Sequence, residues 1–123
     1  MVKRLRVTEL SSVCSTRKRG LEAWENLKRH LDANAIEIDL GNFDIVSFSF
    51  LDELIRQIVA GKVDPQRTIF KVSDPAVMDK LERVAAIRRV SLQYRSDGQL
   101  SQIVPKPPLS SRTTFVSEKP ALV

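Results

Sequence analysis

The chain has 123 residues, 42% of them hydrophobic and 28% charged, which is the make-up of one globular domain with a single core. It has no apolar run of about 18 residues, its start MVKRLRVTEL lacks the apolar stretch and cleavage site of a secretion leader, and Cys14 is its one cysteine, so a membrane span, an internal disulfide and a multi-cysteine metal site are excluded and a cytoplasmic location is expected. The net charge of +5 permits attraction to nucleic acid or to an acidic surface, but outside Arg17, Lys18 and Arg19 the basic residues are singles and pairs mixed with acids, and no aromatic-basic interleaving suggests a base-stacking platform.

In chain order, residues 3–10 predict a strand, with Leu5 and Val7 alternating against Arg4, Arg6 and Thr8. A helix is expected over Thr16 to Leu31, where Leu21, Trp24, Leu27 and Leu31 recur at helical spacing and Ser15 or Thr16 supplies a cap. AIEIDLG then alternates Ile36, Ile38 and Leu40 against Glu37 and Asp39, a strand ended by Gly41 and followed by the turn GNFD. The next helix is expected from Phe50 to Ala60: Leu51, Leu54, Ile55 and Ile58 form its apolar stripe, Ser49 is its predicted cap, and Gly61 stands where a left-handed C-terminal residue suits. RTIFKV is a third strand. Asp74 and Pro75 then open a helix whose Val77, Leu81, Val84 and Ile87 face the core, and RVSLQYR gives a fourth strand.

Strands joined by helices of this length become parallel through right-handed crossovers. The expectation is a single α/β domain over residues 1–98, with a mostly parallel sheet of four or five strands and helices mainly on one face. Residues 99–123 carry four of the six prolines and no sustained period, so they are expected to form a mobile, solvated tail, a reading favoured over an extended PKPP helix held by a partner.

Little in the chain has the pattern of catalysis. The four glycines are isolated, so no phosphate-cradling loop is present, and one His and one Cys make neither a zinc site nor a strong nucleophile pair; no cofactor is expected. Asp39 and Asp44 flank a turn where carboxylates also serve simple turn geometry rather than magnesium. Two helix starts carry more. Arg17, Lys18 and Arg19 place cations at the positive end of a helix, an arrangement an anion would relieve, which makes them candidates for binding phosphate, nucleotide, nucleic acid or an acidic surface. Ser49 with Asp52 three residues on has the form of a short-armed capping box, and Phe48, Ser49, Phe50, Asp52 and Glu53 together form the candidate lip on which a partner docks. A phosphate on Ser49 would add negative charge beside two carboxylates.

SFLDEL, residues 49–54, resembles the Ser-Phe-x-Asp-Glu signature of the bacterial STAS-like family, whose biochemical role is largely unassigned and which is related to the STAS domains of anti-sigma factor antagonists; TRKRG and IDLGNFDIV also look like that family. The resemblance covers residues 15–60 well and 68–95 loosely. It implies a small cytoplasmic α/β module of a kind sometimes found with kinase-like ATPase partners; together with the lack of a catalytic pattern, the expectation is a non-enzymatic regulatory module that acts by protein-protein interaction. Laid on this chain without a gap, the antagonists' Asp-Ser-Ser-Gly loop falls on Ser47, Phe48, Ser49 and Phe50, so Ser49 matches the phosphorylated position while Ser47 and Phe50 depart from the motif.

Overall fold

The computed structural model describes residues 2–41 and 46–105; the expected GNFD turn after Gly41, Asp44 included, and residues 106–123 lie outside these. The chain runs β1 (Val2–Arg6), α1 (Val7–Leu10), α2 (Arg17–Leu27), β2 (Ala35–Gly41), α3 (Phe48–Ala60), β3 (Thr68–Val72), α4 (Pro75–Arg88), β4 (Leu92–Ser96) and β5 (Gln99–Ile103), with 3-10 turns at Lys28–His30 and Pro65–Arg67. The five strands lie side by side in sequence order; β1 to β4 are parallel and β5 returns antiparallel along β4. A parallel sheet built stepwise in one direction by crossovers of one hand keeps its connecting helices on one face. This is the expected α/β fold, with a mixed, mostly parallel sheet.

Register sorts the side chains. Leu5, Ile38 and Phe70 are paired in a row across β1, β2 and β3, and all three are buried in the core with Leu27, Leu54, Ile55, Leu81 and Val84 from the helices. One residue along, Arg4, Glu37 and Ile69 form the next row, which pleat alternation turns to the opposite, helix-free face together with Asp39, Lys71 and Arg95.

Several expectations need correction. The first strand stops at Arg6 rather than Leu10. Val7 and Leu10, three apart, instead bury together on a short helical turn that Glu9 closes by accepting from the Arg6 N–H at 2.8 Å. The helix expected to reach Leu31 ends at Leu27 and tightens into the 3-10 turn, while Leu21, expected in the core, is exposed because Gly20, Ala23, Trp24 and Leu27 make the inward face. Ile87 is 60% exposed, and Ala85 takes an inward position on α4 with Val84. Gly61 has φ of −78°, so it is no left-handed cap; that conformation falls on Lys62, at 58°. Glycine suits position 61 for another reason: a Cβ there would stand 2.7 Å from the ring of Trp24. The domain also does not end at residue 98. Asp97 and Gly98, with φ of 52° and 79°, make the two-residue turn typical of tight hairpins, and residues 99–103, assigned to a tail by sequence, form β5.

Candidate functional site

The start of α3 is where the sequence concentrates its candidates, and the structure changes their roles. Ser47, not Ser49, is the cap: its Oγ accepts the Phe50 N–H at 3.1 Å, and its own N–H donates to the Cys14 carbonyl at 2.9 Å. The helix therefore begins two residues earlier than expected, and Ser49 is its second residue, half-buried. On the other flank Lys80 Nζ donates to the Val46 carbonyl at 2.8 Å, and the Arg83 guanidinium sits 5.5 Å from the centre of the half-buried Phe48 ring. The helix start is thus tied to the loop before α2 on one side and to α4 on the other.

Residues 50 to 55 are all buried in succession, which an amphipathic surface helix never shows. The cause is position: α3 is the middle helix of the layer, flanked by α2 and α4 and sharing one core with Ile38 and Phe70 of the sheet. Gly20 lets α2 come this close, since a Cβ there would lie 2.7 Å from the Phe50 carbonyl oxygen and 2.9 Å from Glu53 Cβ.

Phe50, Asp52 and Glu53 are therefore corrected from exposed lip residues to interior ones. Asp52 is 2% exposed and takes three short bonds: Arg17 Nη1 donates to Oδ2 at 2.6 Å, while Arg88 donates from Nε to Oδ1 and from Nη2 to Oδ2, both at 2.7 Å. One carboxylate thereby joins α2, α3 and α4. Glu53 accepts from Arg56 at 3.0 and 3.3 Å and from Gln57 Nε2 at 2.7 Å, with Arg17 at 3.8 Å. The Arg88 bonds hold the Asp52 carboxyl below its usual range against the opposing pull of burial, with Arg17 adding to them; the Arg56 bonds do the same for Glu53. With Ser47 as cap, both acids stand beyond the first turn of the helix, so the expected capping box is absent.

The basic start of α2 finds its anion inside the protein. Thr16 caps it, accepting the Arg19 N–H at 3.2 Å; Arg17 is bound to Asp52, and Arg19 to Glu22 at 2.8 Å. Of the three cations proposed for an external anion, Lys18 alone makes no ion pair among the described residues.

The remaining candidates lie apart. Cys14 is buried, its Sγ near the Ser11 carbonyl, and burial pushes its thiol up, away from the thiolate a nucleophile needs. His30 lies past the C-terminal end of α2, in a groove with Lys3, Arg29 and Asp32. Asp39 closes the end of β2 by accepting the Gly41 N–H at 2.8 Å, and among the described residues no three His, Cys, Asp or Glu side chains cluster as a metal site would require. No helix among the described residues is long and apolar enough to cross a membrane.

Sequence reasoning missed Ser47, Arg88 and Lys80. Ser47 was legible, since it stands four residues before Leu51 and so starts the same helical stripe; the two long-range basic partners left no local signal. Compared with family models, with curated proteins and with solved structures, the chain has no significant match.

Proposed function

We propose that the chain is a non-enzymatic regulatory module that works in the cytoplasm by docking on a protein partner through the end of the molecule where α3 begins, with Ser49 as the position that switches docking. The observation that carries this reading is the division of labour between two serines. Ser47 takes the structural bond of the cap, while the hydroxyl of Ser49, one turn before the buried acids, takes no such role on a residue that is still partly exposed, next to Phe48, which is partly buried against the core. The anchored backbone presents both residues on a rigid end, which lowers the ordering cost of association.

A phosphate on Ser49 would sit at the second residue of a helix, where the dipole favours an anion, and on the same face as Asp52 and Glu53, three and four residues on. It would compete with those carboxylates for Arg17, whose side chain is half-exposed, and would change the charge of the docking end. A kinase-like ATPase as partner rests on the resemblance of SFLDEL to the STAS-like family.

The test is retention of a partner by the tagged full chain, with quantitative mass spectrometry of what co-purifies from its native cell. Ser49→Asp and Ser49→Ala should move the yield of the same protein in opposite directions, and Lys62→Ala, beyond the other end of α3, should leave it unchanged. Equal, wild-type retention by both Ser49 variants sinks the proposal. The competing reading, a nucleic-acid module acting through Arg17, Lys18 and Arg19, is weakened by the internal pairing of two of those cations; steeply salt-dependent binding of DNA or RNA would revive it.

A further inference from the structure

The two edges of the sheet are guarded differently. β1 reads VKRLR and carries Lys3, Arg4 and Arg6, so pairing it with a second β1 would set like charges against one another. β5 reads QLSQI, with no charge and no proline, and its first four residues are exposed. It is followed by Val104, 66% exposed, and Leu100 within it is 52% exposed. Among the described residues, this uncharged edge bearing exposed apolar side chains lacks the usual charged or proline defences against strand addition.

The hairpin fixes what this edge offers. In a two-residue turn the flanking pair, here Ser96 and Gln99, exchanges both hydrogen bonds, and bonded pairs then alternate along the ladder. The backbone groups of Leu100 and Gln102 are consequently aimed away from β4, and Val104, the residue after the strand, has their parity. Pro105, of the opposite parity, lacks a donor that would not have faced the edge.

We propose that β5 is a self-association edge, on which a second copy of this chain adds its own β5 antiparallel about a twofold axis at Gln102, joining two sheets into one of ten strands. This register sets Leu100 against Val104 of the second copy, and the reverse, so the exposed apolar residues of the edge cover each other twice, with the two Gln102 amides meeting at the axis. No like charges are opposed, which is the electrostatic reason the occupant is a second copy here and not at β1. An edge this short buries less than a standard interface, so the dimer is reversible and concentration-dependent.

Sedimentation equilibrium of the full chain over a range of concentrations tests this. The wild type should show a monomer–dimer equilibrium. Gln102→Glu and Gln102→Lys should each raise the dimer Kd by about tenfold through like charges at the axis, and an equimolar mixture of the two should restore association. Gln102 lies on the surface, and an unchanged circular dichroism spectrum confirms that each variant is folded. Lys3→Glu, on the other edge, should leave the dimer unaltered. A monomer at every concentration, a dimer indifferent to both charges at position 102, failure of the mixture to restore it, or a dimer lost with Lys3→Glu would each overturn the proposal.

Discussion

Asp52 and Glu37 are both carboxylates sunk between two arginines, one among the helices and one on the helix-free face of the sheet. Asp52 receives three bonds of 2.6 to 2.7 Å from arginines of two other helices, whereas Glu37, 6% exposed, has one bond of 2.9 Å from Arg95 and a looser approach of 3.7 Å from Arg4. Arg88 and Arg95 are similarly covered, but Arg4 is largely exposed and in water contributes little. Similar burial thus has different consequences: Asp52 ties three elements together from within, while Glu37 is shielded by side chains that lie across an open face and can move aside to admit water.

The comparison breaks or sharpens on substitution. Asp52→Ala leaves two guanidinium groups short of their partner and should cost about 3–5 kcal/mol, read as a lowered urea midpoint at an unchanged slope. Acid should act through the same group. The folded-state carboxyls of Asp52 and Glu53 lie below their ordinary values of 3.8 and 4.5, so their contribution is complete above those values and is lost as pH falls through the lower folded ones. Stability should hold from neutral pH down to about 5 and then decline, less steeply in Asp52→Asn, and a decline of unchanged steepness in that variant would remove Asp52 from the account. Gly20→Ala, which drives a methyl against the Phe50 carbonyl and parts α2 from α3, should cost about 1–3 kcal/mol in the same titration. Glu37→Gln should cost about 1 kcal/mol; a loss equal to that of Asp52→Ala would erase the distinction between the two arginine pairs.

The smallest contrast lies at the two serines. Ser47→Ala should lower stability by about 0.5–2 kcal/mol through loss of the cap. Ser49→Ala should stay within about 0.5 kcal/mol of the wild type, as a residue left for association rather than for folding would.

What the sequence revealed followed range. Period-two alternation located β2 at Ala35–Gly41, and Asp74 with Pro75 located the start of α4, because those signals are local. β5 was readable too, since Asp-Gly after Leu-Gln-Tyr-Arg-Ser is a hairpin signature, but the prolines downstream drew residues 99–103 into a tail. The site was less legible. Ser47 and Ser49 stand two apart and both suit a cap; burial of Phe50 and the bond from its N–H decide between them. The acids after them looked like an exposed lip because nothing within the helix announces that Arg17, 35 residues before Asp52, and Arg88, 36 after it, will close over that position. A carboxylate next to an apolar stripe is a request for a partner, and only the tertiary fold supplies the answer.

The central claim is that Asp52 belongs to the fold, as the point at which α2, α3 and α4 are joined, and not to an exposed docking lip. A double-mutant cycle on Asp52→Ala and Arg88→Ala, by urea denaturation, tests it most directly. The account predicts a coupling of about 1–3 kcal/mol, the two losses together being smaller than their sum, and losses that add to within about 0.5 kcal/mol would contradict it.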